Sequence, residues 1–402
     1  MKSSLPSGAP LTLLALLALG SVGCSGSDDA GPAQADVVAN YATFVSTNYA
    51  DVLAGAQQLD TAVHAFTDAP SEKTLGAARK AWIASRAPYA LSEAYRFSQG
   101  PIDNDDQSDD IPDGPEPLIN SWPLDESYID YVVGPKGEIL NTGIINLPDD
   151  FPTLDASVLA DANANPTVGE TSISTGYHAI EFLLWGQDLS VDGPGDRPFT
   201  DYVTDGTGTA ENQDRRAEYL LTVSDLLVAN LTTVNDAWRD GEADYRADFL
   251  ALLPKAALAK MLLGMGSLSG AELSGERMKV AYDNKDQEDE HSCFSDTTLT
   301  DLSNDALSVQ NVLLGRYGDL DGPGIDDLVA AKDPALAKKL RQQIQTAIDE
   351  IAAVPAPFDQ AILGDDTEPR RHILSAIEAL QSFTQTLVDA AKVLSIDLKF
   401  DE

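Results

Sequence analysis

The feature that most constrains the fold is an apolar stretch, Gly176 to Gly186, that carries a histidine and a glutamate. His178 and Glu181 are three residues apart, so on a helix they lie within about 60° of each other. The rest of this helix is apolar, and a helix that is apolar all round is usually buried in a bundle. A buried carboxylate is costly unless a cation or hydrogen-bond donors meet it. The stretch therefore predicts a buried helix with two polar side chains that need partners.

Two kinds of partner could satisfy this pair. His178 and Glu181 could bond to each other, or to Tyr and Arg side chains, as a buried polar cluster. They could also bind a metal, since imidazole and carboxylate suit iron, zinc or manganese and helix bundles place such ligands inward at this spacing. Thr175 or Ser174 is a candidate N-cap, and the helix dipole would then keep the histidine uncharged and able to bind a metal. Further ligands would have to come from elsewhere in the chain.

Apolar residues with helical periodicity recur along most of the chain. The pattern predicts helices over about 36–66, 72–98, 213–239 and 244–266, and two more that begin at Asp333-Pro334 and Glu368-Pro369. Patterns with strand periodicity are scarce. The chain is therefore expected to be all-α.

A short internal repeat relates two parts of the chain. Residues 171–195 resemble residues 300–324, and both segments end in Asp-Gly-Pro-Gly. Such similarity suggests two related halves that pack as a pseudo-dimer, although a shared turn would also explain the Asp-Gly-Pro-Gly match. Leu307 and Gln310 take the places of the histidine and the glutamate. We therefore expect one site per chain, at the interface between the halves.

The N-terminus resembles a bacterial lipoprotein signal. Residues 1–24 contain a short apolar run, Leu11 to Leu19, and end in Cys24, which would be lipidated. The alternative is a secreted protein that is cleaved near this position. Residues 25–36 would form a flexible tether. We expect a protein of the bacterial cell envelope, either an outer-membrane lipoprotein or periplasmic, that meets the membrane only through its lipid.

The chain is strongly acidic, with 65 acidic and 26 basic residues and a formal charge of −39. This charge argues against nucleic acid and anionic membrane surfaces as partners. It could concentrate cations near the protein, or it could reflect a saline habitat. The acidic run Asp103 to Asp110 lacks the glycine and the glutamate of an EF-hand loop, so we expect a solvated loop there.

The apolar stretch is one of several motifs in a fixed order. Gly176, His178 and Glu181 form Gly-x-His-x-x-Glu. The other motifs are Trp82-x-x-x-Arg86-x-Pro-Tyr89 with Glu93, Gly100–Asp103, Asp113–Glu116, Leu118–Glu126, Gly275–Met278 and Gln287–Asp296. Together they resemble the imelysin family, also called the M75 peptidase family, and within it the iron-regulated protein A branch.

This resemblance implies an all-α fold of two pseudo-symmetric, four-helix-bundle-like halves, with the Gly-x-His-x-x-Glu motif near their interface. Residues 37–395 would form the imelysin-like domain, with approximate halves 37–212 and 213–395. The resemblance also implies an envelope protein made under iron control, so the metal would be iron, with zinc as the alternative. The expected partners are the metal or a small iron-bearing ligand in iron acquisition, and an envelope protein if the chain is an adaptor for haem uptake or electron transfer.

Further site residues come from the other motifs. Glu93 matches the family pattern as a ligand, with an Arg86–Glu93 ion pair as the alternative explanation. Glu288 and His291 have the spacing used in di-iron bundles, or they belong to a solvated acidic helix end. The residues expected around the metal, where they would orient its ligands, are Arg86, Trp82, Trp122, Asp125, Tyr177, Glu276 and Arg277.

The peptidase name of the family does not by itself predict catalysis. The chain has four histidines and no His-Glu-x-x-His, the motif of common helical zinc peptidases. Cys293 has acidic neighbours, which disfavour a reactive thiolate. Metal-dependent hydrolysis is the alternative function, with Glu126 or Glu288 as the base that activates a metal-bound water. His64 and His372 show no acidic partner at ligand spacing and are expected at the surface or the core edge.

Overall fold

The computed structural model describes residues 31–105, 113–165, 167–190, 193–239 and 244–398. The signal peptide with Cys24, the tether up to residue 30, and the part of the acidic loop from 106 onward lie outside the described residues.

Helices make up most of the described structure, which confirms the all-α prediction. The elements up to residue 238 are α1 (Gln34–Asp68), α2 (Glu72–Ala90), α3 (Glu126–Ile129), β1 (Val132–Val133), β2 (Ile139–Leu140), α4 (Gly143–Asn146), α5 (Ala156–Ala162), α6 (Gly176–Trp185) and α7 (Gln213–Trp238). The later elements are α8 (Asp244–Ala251), α9 (Pro254–Ser267), a π-helical segment (Leu268–Lys279), α10 (Val280–Asn284), α11 (Thr298–Leu314), β3 (Arg316–Tyr317), β4 (Leu320–Asp321), α12 (Ile325–Ala330), α13 (Pro334–Ala353), α14 (Phe358–Ala361) and α15 (Glu368–Val393). The strands form two antiparallel pairs, β1 with β2 and β3 with β4.

The long helices of the described residues form two groups of four. In the first group, α1 packs along α2 and α7, and α6 packs against the same two helices. In the second group, α13 packs along α15 and α11, and the π-helical segment, which continues α9, packs against the same two helices. Because α7 packs in the first group, this group extends to Trp238.

Two of the predicted helices differ from the observed ones. The helix predicted over 72–98 ends at Ala90, and a short 3-10 turn, Glu93–Tyr95, follows. The helix predicted over 244–266 is broken into α8 and α9. Pro254 causes the break, because proline lacks an N–H and disfavours helical geometry at the residue before it.

The helices of the sequence repeat, α6 and α11, are each followed by a glycine with a positive φ. Gly186 and Gly315 follow their last residues with φ values of 71° and 69°, and this positive φ favours glycine. Each helix packs against two long helices of its own group. Gln310, which takes the place of Glu181, bonds to Gln345 on α13 at 3.0 Å. Corresponding positions in the two groups thus carry a buried acid in one case and an amide in the other.

Among the described residues, no single helix has both the length and the apolar composition of a membrane span. Only the bent pair Tyr245–Ala251 and Pro254–Asn284 meets both conditions together.

Candidate functional site

The turn before α6 determines where His178 lies. Gly176 has a φ of +84°, and a Cβ at this position would lie 2.5 Å from the carbonyl oxygen of Ile119. The backbone N–H of Tyr177 donates to the same carbonyl at 2.8 Å. Thr175 occupies the N-cap position, but its side chain does not cap the helix, and its own N–H donates to the side chain of Asn163 at 3.2 Å. The close approach of the two backbones requires glycine at the first position of the motif.

His178 and Glu181 are fully buried and bond to each other. Nδ1 of His178 lies 2.9 Å from Oε2 of Glu181. The other carboxylate oxygen accepts the backbone N–H and the hydroxyl of Ser295, at 2.9 and 2.7 Å. Burial raises the pKa of Glu181 to about 8, with Ser295 opposing the rise. Burial also lowers the pKa of His178 well below its usual value, so both groups favour their uncharged forms.

The second ring nitrogen of His178, the buried Nε2, has no bonded group among the described residues. The ring of His291 lies edge-on against it, with the ring centres 4.8 Å apart. Nδ1 of His291 in turn lies 3.1 Å from Oδ2 of Asp301. A carboxyl group therefore lies beside Nδ1 of each histidine. Histidines that bind a metal through Nε2 are commonly oriented by such a contact at Nδ1.

Asp301 connects His291 to a buried arginine. The guanidinium of Arg86 donates to both oxygens of Asp301, at 3.3 and 3.0 Å, and to the side-chain oxygen of Asn120 at 2.5 Å. The hydroxyl of Ser292 donates to Oδ2 of Asp301 at 2.5 Å. Burial alone would raise the pKa of Asp301, but Arg86 and His291 hold it far below its usual value. Burial lowers the pKa of His291 to about 4, so an ionised carboxylate faces a neutral imidazole.

The predicted ligand Glu93 lies in a network of ion pairs. Its Oε2 accepts from Arg277 at 2.6 Å and from Arg96 at 2.9 Å. Arg277 also donates to Asp305 at 2.8 Å. Burial would raise the pKa of Glu93, but the two guanidinium groups lower it to about 2. Glu93 thus has Arg96 and Arg277 as partners instead of Arg86. Its other oxygen, Oε1, is buried with no bonded group among the described residues, and His291 also contributes to the lowering of its pKa.

Three predicted aromatic residues surround the histidines and Arg86. The indole N–H of Trp82 donates to the backbone carbonyl of Tyr177 at 2.9 Å. The Arg86 guanidinium lies 5.7 Å from the ring centre of Trp82 and 5.0 Å from that of Tyr177. Trp122 is half-buried and lies edge-on to His291, with ring centres 5.6 Å apart. These rings shield the polar centre from water. The centre consists of His178, Glu181, His291, Asp301 and Arg86.

The four remaining predicted residues are Glu126, which is described below, and Asp125, Glu276 and Glu288. Glu276 is exposed, because the adjacent Arg277 occupies the inward face of the π-helical segment. Glu288 is exposed too, since it lies in a 3-10 turn that ends before His291 and does not place the two on one helix face. Asp125 is exposed and accepts the N–H of Ser127 at 2.9 Å as the N-cap of α3.

Glu126 is half-buried, and burial raises its pKa. Among the described residues, neither Glu126 nor Glu288 bonds to either histidine of the centre. Cys293 is buried as well, and burial raises the pKa of its thiol well above the usual value, which fits the expectation of an unreactive cysteine.

Sequence reasoning missed several residues that the structure brings to the centre. Asn120, Ser292 and Ser295 lie inside recognised motifs, so the motifs offered a signal for them. Asp301 lies 215 residues from Arg86, and no spacing in the sequence connects the two.

His64 and His372 lie at the surface or partly exposed, as expected, but each has an acidic neighbour. Nδ1 of His372, on α15, lies 2.6 Å from Oε2 of Glu350, on α13. Nε2 of His64, on α1, lies 3.5 Å from Oδ1 of Asp225, on α7. These two carboxylates belong to neighbouring helices, which spacing along the chain could not indicate. Asp60, four residues before His64 on α1, is a further acidic neighbour at 3.7 Å, and its spacing is visible in the sequence.

Comparisons with known proteins point to one family. The imelysin family model, also described as peptidase M75, matches residues 45–387. The chain is similar to iron-regulated protein A of Synechococcus elongatus, with 25% identity over 352 residues that cover 85% of this chain and 81% of that protein. Its fold is similar to a crystal structure from Parabacteroides distasonis, provisionally described as an iron-regulated protein A precursor. The TM-score is 0.67 and the identity 22%, over 92% of this chain and 97% of the other.

Proposed function

Because this chain belongs to the imelysin family, we propose that it is an iron-related protein that binds a metal ion, or a small iron-bearing ligand, at its buried histidine pair. One observation carries the proposal. Nε2 of His178 is buried and has no partner among the described residues, while Glu181 is bonded to Nδ1. A buried polar atom without a partner is unfavourable unless a ligand or a water satisfies it.

The distance between the two rings suits a shared ion. A metal–nitrogen bond of about 2.1 Å puts each ring centre about 3.2 Å from the ion, so two rings at 90–110° have centres about 4.5–5.2 Å apart. The observed separation between His178 and His291 is 4.8 Å. Imidazole ligands suit iron and zinc, which agrees with the expected metals.

The roles of the surrounding residues follow from their bonds. Both oxygens of Glu181 already have partners, so in this proposal Glu181 and Asp301 accept the Nδ1 protons of the two rings, orient the rings and do not bind the ion themselves. Binding of the ion at Nε2 of His178 would release the proton that Glu181 otherwise holds near neutral pH. Arg86 supports Asp301 from behind. The side chains of the centre that could bind a metal are His178, Glu181, His291 and Asp301. In the described structure, no three of them have ligand atoms that all lie within 4.8 Å of one another. The ion would therefore keep positions for water or for an exogenous ligand.

Metal binding by the purified protein tests this proposal. We expect anaerobic calorimetry with Fe²⁺ and Zn²⁺ to show that His178→Ala and His291→Ala each weaken binding at the central site by at least about tenfold. His372→Ala is the matched control, since this histidine also contacts a carboxylate through Nδ1 but lies half-exposed between α13 and α15. Equal binding by the wild type and the His178→Ala/His291→Ala double variant would contradict the proposal.

Two competing functions give different results. Metal-dependent peptidase activity predicts cleavage of denatured polypeptides that a chelator blocks and that His178→Ala abolishes. An adaptor role in haem uptake or electron transfer predicts a folded, metal-free protein that co-purifies with an envelope partner.

We also propose attachment to the bacterial cell envelope through lipid on Cys24, on the basis of the sequence pattern described above. Cys24→Ala should move the protein from the membrane fraction to the soluble fraction of the envelope. Unchanged partition of the variant would contradict this anchor.

A further inference from the structure

The surface between α1 and α7 carries a second group of residues that can bind a metal. Asp60 and His64 are four residues apart on α1 and share one face, and Asp225 lies on α7, which packs along α1. Nε2 of His64 lies 3.7 Å from Oδ1 of Asp60 and 3.5 Å from Oδ1 of Asp225. Within the part of the chain that the structure describes, this is the only group of three His, Cys, Asp or Glu residues whose donor atoms all lie within 4.8 Å of one another.

The distances between these atoms suit ligands of one ion better than hydrogen-bonded partners. A charge-assisted N–H···O bond would bring Nε2 to about 2.7–2.9 Å from a carboxylate oxygen. Two ligands that each lie about 2.1 Å from a tetrahedral ion are about 3.4 Å apart. The observed distances of 3.5 and 3.7 Å from Nε2 of His64 are close to the second value and well beyond the first.

Ser224 fixes the most buried ligand of the three. Its hydroxyl, itself buried, donates to Oδ1 of Asp60 at 2.8 Å. Metal-binding carboxylates are commonly held by such hydrogen bonds. The side chains of His64 and Asp225 are 47% and 65% exposed, so an ion can enter from solvent and keep water in its remaining positions.

We propose that Asp60, His64 and Asp225 form a surface site for a divalent transition-metal ion that joins α1 to α7. One imidazole and two carboxylates suit Zn²⁺, Mn²⁺ or Fe²⁺, whereas Ca²⁺ prefers a shell of oxygen atoms alone. The site rests on different residues from the buried histidine pair and does not depend on the function proposed for that pair. An ion bound only by the folded protein raises its stability.

Zn²⁺ binding in a chain without the central histidines tests this site directly. In the His178→Ala/His291→Ala background, we expect Zn²⁺ to bind and to raise the midpoint of thermal unfolding. Adding His64→Ala or Asp225→Asn should weaken Zn²⁺ binding at least about tenfold and abolish the thermal shift. Adding His372→Ala, at the other half-exposed histidine with an acidic neighbour, should change neither.

The same comparison in the wild-type chain covers the case in which the double variant does not fold. His64→Ala should then bind one Zn²⁺ fewer than the wild type, and the lost ion should be the same one that Asp225→Asn loses. Unchanged Zn²⁺ stoichiometry and affinity in His64→Ala would overturn the site. So would loss of Zn²⁺ with His64→Ala but not with Asp225→Asn, because the ion would then not bridge the two helices. Neither result would affect the proposal for the buried pair.

Discussion

At the residue scale, the two carboxyl groups of the centre have opposite environments. Glu181 faces a neutral imidazole and Ser295, and burial raises its pKa to about 8. Asp301 faces Arg86, which holds its pKa far below the usual value. One acid is therefore largely protonated near neutral pH while the other stays ionised. Two similar side chains in one site thus differ in charge because only one of them has a guanidinium partner.

Arg86 should matter for both stability and binding. Arg86→Met leaves the buried Asp301 without its ion partner, so we expect unfolding in urea to show a loss of about 3–5 kcal/mol. Metal affinity should fall about 10–100-fold, because Asp301 would no longer be held against His291. The control is Lys392→Met, whose exposed pair with Asp389 should cost under about 1 kcal/mol. An equally small loss for Arg86→Met would contradict its role in the centre.

At the scale of elements, the position of α6 depends on the contact between Gly176 and Ile119. Gly176→Ala introduces both an unfavourable φ and a clash with the Ile119 carbonyl. Gly137 is the matched control, because its φ is +78° and open space surrounds its missing Cβ. Gly137→Ala should cost about 1–2 kcal/mol of unfolding free energy, and Gly176→Ala about 1–3 kcal/mol more. Equal losses in the two variants would show that the backbone contact is unimportant.

A buried ion triad ties α7 to the segments that follow α3 and α6. Asp130 accepts from Arg197 at 2.7 Å and from Arg216 at 2.6 and 2.9 Å. Burial alone would raise the pKa of Asp130, but the two arginines outweigh burial and lower it. Its carboxylate therefore stabilises the fold above the unfolded-state pKa of about 3.9, and this contribution is lost as the pH falls through the lower folded-state pKa.

Replacement of this acid should have a pH-dependent effect. Asp130→Asn should lower the unfolding free energy by about 3–5 kcal/mol at pH 7, because buried Arg216 loses its carboxylate partner and buried Arg197 keeps only Asp201, at 3.3 Å. The difference from the wild type should shrink below about pH 4, where Asp130 of the unfolded chain becomes protonated while the folded protein still holds it ionised. Denaturant unfolding between pH 7 and pH 3 measures this difference, and a constant value over the range would contradict the explanation.

At the scale of the whole molecule, local patterns predicted more than long-range ones. Helical periodicity gave the all-α class and most long helices, because each helix buries a face that its own sequence defines. The sequence did not show to which group of helices α7 belongs, because α7 would have an apolar face in either group. Only the packing of that face against α1 and α6 assigns it to the first group.

The contacts within the centre were predictable from spacing only where the two residues share a helix. The i, i+3 spacing gave the contact between His178 and Glu181. Ser295, which bonds to Glu181 across 114 residues, and Asp301 come from the second half of the chain, where no periodicity links them to the motif. The Glu-x-x-His spacing supplied His291, but the structure pairs this histidine with Asp301 instead of Glu288.

Anomalous diffraction from crystals of the metal-loaded protein would locate the ion. We expect a peak at the absorption edge of the bound iron or zinc, about 2.0–2.3 Å from Nε2 of both His178 and His291, with no peak there in His178→Ala. Metal found only at Asp60, His64 and Asp225, or nowhere near His178 in fully loaded protein, would contradict binding of the ion at the histidine pair.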